Sequence, residues 1–430
     1  MGAKPFVSTI APGVRLCASQ TDRFKTGCIS FTMALPLEGD IAANAVLPYI
    51  LYRSCRKYPD FSCLNGVLAD LYGATLSAGV SKLGEAQVLS VELTSIDDRF
   101  ALEGESISQS CAELLLDLIF DPDLDEDSRF REEAVQREKR LLIERMESEL
   151  NDKRVFALRR CVEVMCADEK YGLSRYGTHE DIKTLTGERV LNAWQNMLKT
   201  AVIQIDMAGS GASENIADAL RKQFLPIERN PAVIETVFIK TTKEPRNVEE
   251  KLPVKQGKLV LGFRTGTLDA SDNASAFKVM TDIFGGGTYS KLFANVREKM
   301  SLCYYCSARL TRHKGVIFVQ SGIESEQALP ATDAILDQLD AVKAGKFEEE
   351  DIKASKMSMT DHLRSIEDSP EDLIAWYASQ IFESELKTPE RESQLINAVT
   401  KDEVTAAANR VTLDTIYMLS GTGEAQTDEV

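Results

Sequence analysis

The sequence predicts an α+β protein of two similar halves, each a mixed β-sheet with helices packed on one face. Three observations carry this. Strand-length runs of alternating apolar and polar residues are interleaved with longer runs of helical period. The order of elements then repeats along the chain. Between the two sets lies a stretch dense in proline and charge, PIERNPAV and TKEPRNVEEKLP, so residues 1–230 and 256–430 read as domains and 231–255 as the linker. At 430 residues the chain exceeds one ordinary core, which fits a duplicated unit.

The first half opens with two strands, VRLCASQ and TGCISFTMAL, followed by helices over Asn44–Tyr58 and Phe61–Leu71. Two further strands follow, ATLSAGVSK and QVLSVELTS. In the second, Leu89, Val91 and Leu93 alternate with Ser90 and Glu92, the period of a sheet with one covered face. Long helices run from about Arg99 to Phe120 and from Asp125 past Arg160. AVIQIDMAGS closes the half as a strand, with SENIADALRKQF as a helix. The charged run Asp123–Lys153 reads as a solvated helix face, with Leu141, Leu142 and Met146 turned inward.

The second half gives KLVLGFRTG as a strand, helices over Asn273–Ile283 and Tyr289–Lys299, strands CYYCSARLTR and GVIFVQSGI, long helices over Glu326–Ala344 and from Glu348 onward, and a last strand, TIYMLSG. The repeat is sharpest where LYGATLSAGVSKLG (Leu71–Gly84) matches LCYYCSARLTRHKG (Leu302–Gly315) in length. Both begin at Leu and end in a Lys-containing turn with Gly.

Composition excludes several classes. A hydrophobic content of 43% with 27% charged residues describes a soluble globular chain. A net charge of -17 argues against a nucleic-acid partner, which calls for a basic surface. The longest apolar run, Ile41–Tyr52, contains Asn44 and Pro48 and is too short to span a bilayer. MGAKPFVSTIAPGVRL has no signal-peptide apolar region, and Phe6 stands where a myristoylation signal needs Ser or Thr. Nine cysteines, an odd number lying mostly in apolar runs, predict reduced thiols and a cytoplasmic setting.

FGGGTYSKLFANVREKMSLCYY, Phe284–Tyr305, is the stretch with chemistry to explain. A phosphate loop requires Gly-x-x-x-x-Gly-Lys-[Ser/Thr]; here Lys291 follows Tyr-Ser and no strand leads into the glycines, which excludes that reading. Gly285, Gly286 and Gly287 read either as a loop that can touch an extended peptide or as a helix C-cap. Arg297 and Tyr304 read either as a capping residue and a half-buried ring, or as hydrogen-bond donors aimed at one cavity. Tyr305 competes with Tyr304, because adjacent strand residues face opposite sides. Cys303-x-x-Cys306 lies on a predicted strand and Cys161-x4-Cys166 on a predicted helix. Neither supplies the four ligands of a structural zinc site, nor does the first open a helix as a thioredoxin-like motif does.

The order of elements over nearly the whole chain resembles the pitrilysin/insulysin-like metallopeptidases, the inverzincins, with their processing-peptidase and respiratory core-protein relatives. Their second half carries a Gly-rich turn, then Ser-[Arg/Lys]-Leu-[Phe/Tyr], Arg-Glu-Lys and Tyr. This chain reads Gly285-Gly286-Gly287, Ser290-Lys291-Leu292-Phe293, Arg297-Glu298-Lys299 and Tyr304. The resemblance implies the duplicated LuxS/metallohydrolase-like fold. LPYILYRS and LADLYGATLSAGVSKLGEAQVLSVEL further resemble non-zinc partner subunits of Gram-positive bacteria, one subgroup of which is linked to elongation factor P modification.

Active members of that family hold zinc with His-x-x-Glu-His on the first helix, the Glu serving as general base, and with a Glu from a later helix. Here the corresponding positions are Leu47, Ile50 and Leu51, and the third ligand falls on Arg145, one step from Glu144. The only histidines are His179, His313 and His362, too dispersed to replace them. The resemblance therefore implies no metal or other cofactor in this chain and a zinc in a partner. It implies a catalytically incomplete subunit that clasps a zinc-bearing homologous subunit, with Arg297 and Tyr304 acting in trans on a peptide substrate beside Gly285, Gly286, Gly287 and Ser290. When the chain is alone, a homodimer is the alternative assembly. The alternative is a non-catalytic peptide-binding or structural scaffold of the same fold. No nucleic acid or membrane is expected as partner.

Overall fold

The computed structural model describes residues 4–239, 244–266 and 274–421, so the predicted helix start at Asn273 lies outside the described residues. Along the chain, β1 (Phe6–Ala11), β2 (Val14–Gln20) and β3 (Thr26–Pro36) lead into α1 (Ile41–Leu51) and α2 (Phe61–Asp70). The strands β4 (Thr75–Leu83) and β5 (Ala86–Ile96) precede α3 (Ile107–Phe120), α4 (Glu132–Asn151), α5 (Lys153–Met165), α6 (His179–Lys183) and α7 (Gly187–Thr200). Next come β6 (Val202–Gly209) and α8 (Ser213–Phe224). Beyond them are β7 (Arg246–Leu252), β8 (Gly257–Arg264), α9 (Ala274–Gly285), a π-helical stretch Leu292–Lys299, β9 (Tyr305–Thr311) and β10 (Val316–Ile323). The described residues end with α10 (Ala328–Lys343), α11 (Glu349–Ser365), α12 (Pro370–Ala378), α13 (Pro389–Ala398), α14 (Lys401–Asn409) and β11 (Thr412–Gly421).

These elements form two mixed sheets, ordered β1-β2-β6-β3-β5-β4 and β7-β11-β8-β10-β9. Each has one parallel pair, β2 with β6 and β7 with β11, and is otherwise antiparallel. Setting β1 aside, the two orders superimpose strand for strand, so the duplicated, two-halved α+β fold expected from the sequence is present. The counterpart of β2 is β7. It lies inside the stretch read as linker, where its alternating Glu, Lys and Asn side chains hide the strand period.

The compact units do not follow the linear order of the chain. The first comprises residues 1–146, 174–235 and 364–390, and the second 147–173, 236–363 and 391–430. Thus α5, from the first half of the sequence, packs against β8 and β11, and α12, from the second half, packs against β6 and β3. The long helix expected from Asp125 past Arg160 is broken to permit this: Asp152 leaves helical geometry and accepts hydrogen bonds from the backbone N–H of Arg154 and Val155, starting α5 anew.

In the first unit one face of the sheet is apolar. Ile29, Phe31, Met33 and Leu35 of β3, with Leu89, Val91 and Leu93 of β5 and Ile203, Ile205 and Met207 of β6, meet α1, α3, α7 and α8 in the main core. The opposite face, under α12, is polar. Cross-strand register aligns Cys17, Asp206, Ser30 and Glu92 in one row and Arg15, Gln204, Thr32 and Ser90 in the next. Arg15 holds the chain after α12, donating to the carbonyls of Gln380 and Glu383 and to Gln204 Oε1, each at 2.7 Å. Asp206 accepts from Gln204 at 2.7 Å and lies beside its register neighbour Cys17. Burial pushes its carboxyl up to about 7.

In the second unit α5 lays Ala157, Cys161 and Met165 against Val260, Phe318 and Tyr417. Gly262 makes that approach feasible, since a Cβ there would meet Met165 Sδ at 2.6 Å. A buried ionic group ties the segment after α5 to the sheet. Arg264 contacts Glu169 at 2.7 Å and Asp414 at 2.9 Å, and Lys314 contacts Glu169 at 2.6 Å; all four side chains are at most 5% exposed. Two cations and two anions balance, and Arg264 also donates to the Met165 carbonyl at 2.8 Å.

Two outcomes follow from these buried charges. Arg264→Ala strands Asp414 and half of Glu169, so it should lower the stability of the second unit by about 3–5 kcal/mol in chemical denaturation followed by circular dichroism. In the first unit, folded Asp206 keeps its proton up to about 7 whereas the unfolded carboxyl releases it near 3.8. Between those values the folded chain binds more protons, so stability should fall as pH rises through that window, by about 2–4 kcal/mol, and Asp206→Asn should flatten the dependence in pH-resolved thermal melts.

Candidate functional site

The first helix decides the metal question. Every residue of α1 from Ala42 to Leu51 is buried, including Leu47, Ile50 and Leu51 at the positions of the zinc motif. A helix apolar on all sides belongs in a core, and these side chains pack in the main cluster with the sheet. Asp40 caps α1, accepting from the Ala43 N–H at 3.1 Å, and is itself held by Arg189 at 2.9 Å. Across from α1, on α4, the Arg145 guanidinium lies over the Tyr49 ring, 4.0 Å from its centroid. Burial pushes the Tyr49 hydroxyl's pKa up, against the pull of Arg145 and Arg175. Glu144 turns outward and pairs with Arg140. Hydrocarbon and a cation–π pair thus stand at the residues that the resemblance sets against two imidazoles and a carboxylate, and these residues do not fit a zinc ion. Among the described residues no group of three or more His, Cys, Asp or Glu side chains is arranged to hold a metal.

The glycine stretch is packed. Gly285 ends α9 and is buried; a Cβ there would meet the Ala308 backbone N at 2.6 Å and Leu292 Cδ1 at 2.8 Å. The Gly286 N–H continues the helix by donating to the Asp282 carbonyl at 2.8 Å, and the Gly287 carbonyl accepts from the Ser290 N–H at 3.0 Å. None of the three has positive φ, so the left-handed C-cap reading does not hold. Ser290 is 1% exposed, with its hydroxyl accepting from the Phe293 N–H, so it starts the next helical stretch from within the core. Gly286 and Gly287 reach the surface.

Arg297 and Tyr304 flank an unusual piece of backbone. The π-helical stretch Leu292–Lys299 carries Arg297 in its last turn, and Ser301, at φ 53, sits in the left-handed region that non-glycine residues seldom occupy. Such features concentrate at functional positions. The Arg297 side chain is 40% exposed, stacked over Phe293 at 4.6 Å and 3.5 Å from Glu298. Tyr304 is 57% exposed; its N–H donates to the Gly322 carbonyl at 2.8 Å and its hydroxyl to Glu324. The two thus stand on either side of the short segment 300–303, each beside its own carboxylate. Tyr305 points elsewhere: its ring lies under Arg154 of α5 at 4.5 Å, and a Cβ on Gly322 would meet it at 2.5 Å. The strand begins at Tyr305, two residues later than read from the sequence, which leaves Cys303 in the loop.

Sequence reading missed Glu324 and the Tyr49–Arg145 pair. The first had a signal: pairing CYYCSARLTR with GVIFVQSGI as a hairpin brings the end of the second strand beside Tyr304. The second had none, since nothing in a single sequence pairs an aromatic on one helix with a cation nearly a hundred residues on. Among the described residues the first sheet ends in β1 and β4, its two edge strands. No helix among the described residues is long and apolar enough to cross a membrane.

Comparison with known proteins agrees with this picture. Residues 184–359 match the model of the peptidase M16 inactive domain. Over 405 residues, 94% of this chain and 95% of the relative, the sequence is 31% identical to the probable inactive metalloprotease YmfF of Bacillus subtilis. A conserved protein from Enterococcus faecalis has a crystal structure that superimposes with a TM-score of 0.88 at 25% identity, covering 99% of this chain and 100% of that one. A peptidase M16 inactive domain from Pseudomonas fluorescens does so at 0.79 and 15% identity, covering 99% and 100%, and this second likeness speaks to the fold alone. At 31% identity over 94% of its length to a relative described as a probable inactive metalloprotease, the chain belongs to the M16, pitrilysin/insulysin-like peptidase family and is similar to its inactive homologues.

Proposed function

We propose that this chain is the non-zinc subunit of a two-chain M16 peptidase of the cytoplasm, pairing with a homologous subunit that carries His-x-x-Glu-His. The observation that carries the reading is the contrast between the two ends of the motif set. The positions on α1 are sealed in the core, while Arg297 and Tyr304 remain 40% and 57% exposed on either side of left-handed Ser301. Arg297 and the Tyr304 hydroxyl would donate hydrogen bonds to the substrate backbone and to negative charge developing on the scissile carbonyl oxygen. Gly286 and Gly287 offer exposed backbone beside the bound peptide, and a free edge of the first sheet, β4 or β1, can pair with it irrespective of sequence. Zinc and the general base belong to the partner, and nothing in this chain replaces them.

A second reading, a peptide-binding scaffold without a catalytic part, is favoured by one detail: both donors already face carboxylates, Tyr304 bonded to Glu324 and Arg297 beside Glu298. The two readings separate in one experiment. With the co-purifying zinc-bearing subunit, Arg297→Ala and Tyr304→Phe should each lower peptide turnover on the order of 10²-fold, with assembly unchanged by size-exclusion chromatography. Turnover equal to that of the unaltered pair would leave only the scaffold.

A further inference from the structure

Asn44 is the one carboxamide on α1. It is 6% exposed, and among the described residues its side chain makes no hydrogen bond to the protein. A buried amide without a protein partner is uncommon and calls for a cause. Asn44 lines a cleft of about 440 Å³ in the first unit, formed by the start of α1, the end of β3 and α7. That volume falls within the range of small-ligand sites, roughly 300–1,000 Å³. Asn192 and Asn196, exposed on α7, line the same cleft, and among the described residues their carboxamides also bond to no protein group. Leu35, Pro36 and Ala193 give it apolar surface. The Ala232 N–H donates to the Thr200 carbonyl at 2.7 Å, tying the chain beyond α8 to the end of α7 where both residues meet the cleft. We propose that this cleft binds the main chain of an extended peptide through the carboxamides of Asn44, Asn192 and Asn196.

The lining selects that ligand by what it offers. Its charges are committed. Arg189 holds Asp40 through two hydrogen bonds, at 3.0 and 2.9 Å, and donates a third to the Thr184 hydroxyl at 2.9 Å. Asp40 also accepts from the Ala43 N–H, and Glu38 is engaged as well. A phosphate or a metal ion would find no uncommitted counter-charge there. No aromatic ring lines the cleft, so it lacks the platform on which a nucleobase stacks. It presents instead three neutral amides, each able to donate from nitrogen and accept at oxygen. One such carboxamide matches the C=O and N–H of one residue in an extended chain. Asn192 and Asn196 are four apart on a helix, which sets their Cβ atoms about 5–6 Å from each other on one face. Along an extended chain, residues facing the same side recur about every 6.4–6.8 Å. Asn192 and Asn196 can therefore hold alternate residues of one segment, and Asn44 adds a third amide from α1. Leu35, Pro36 and Ala193 suit small aliphatic side chains between those bonds. Recognition through the main chain is indifferent to sequence.

The probe is N-acetyl-tetra-alanine amide, which is uncharged, titrated into the full chain carrying isotope-labelled asparagine and followed by NMR of the side-chain amides. The carboxamide signals of Asn44, Asn192 and Asn196 should shift together and saturate. Asn192→Ala and Asn196→Ala, both at exposed positions, should each weaken binding about fivefold with the circular dichroism unchanged. The same peptide with its amide nitrogens methylated cannot donate, and should bind at least about tenfold more weakly. Carboxamide signals unmoved by millimolar peptide would overturn the proposal, and so would equal binding of the methylated peptide. Shifts produced by maltotriose and not by the peptide would assign the cleft to a sugar and overturn it equally. Arg297 and Tyr304 do not enter this test. Failure of their catalytic role in the turnover measurement leaves the cleft to be judged by the titration, and failure here leaves their role to be judged by turnover.

Discussion

A helix buried on every side cannot also present ligands to a metal, and α1 is such a helix. Leu47, Ile50 and Leu51 spend their surface on the sheet and the neighbouring helices, and the hydrophobic gain of burying them is of the order of 1.5–3 kcal/mol each. In the same place imidazole and carboxylate would need to be desolvated and then repaid by an ion. The Arg145 guanidinium stacked on Tyr49 completes the substitution, since a fixed positive charge opposes any cation arriving there. The first helix of the first unit is therefore a packed element of the core rather than a ligand-bearing one.

The support itself is built by trading one helix between the halves. Because α5 and α12 each cover the second face of a sheet, those faces carry groups that an ordinary one-sided sheet would leave in water. In the first unit this produces the row through Cys17, Asp206 and Ser30, with Arg15 fastening the chain beyond α12. In the second it produces the closed group of Arg264, Lys314, Glu169 and Asp414. Buried polar sets of this kind add little to stability when complete and cost much when broken.

Much of this was legible in the sequence. Leu89, Val91 and Leu93 announced a one-sided strand, and the matched stretches at Leu71 and Leu302 announced the duplication. The loss of the metal site was plain from residue types alone, because no arrangement of leucine ligates zinc. What could not be read depended on distant partners. β7 has a strand's conformation and a linker's composition, and only its parallel pairing with β11 makes it a strand. The helix trade leaves a single local mark, Asp152 capping α5, and its cause is packing far along the chain. Arg297 and Tyr304 were singled out by the spacing of the family they resemble, whereas the Glu324 carboxylate that Tyr304 meets and the π-helical turn that carries Arg297 came only with the fold. Ser290 shows the reverse: its motif position pointed to substrate, and packing placed it in the core.

The account stands on the first unit having exchanged ion binding for packing. Zinc titration of the purified chain, followed by desalting, metal analysis and a thermal melt, tests that most directly. The account predicts that no stoichiometric zinc is retained and that the unfolding temperature is unmoved, because an ion that binds only the folded state would raise it. One zinc held per chain with a raised unfolding temperature would contradict it.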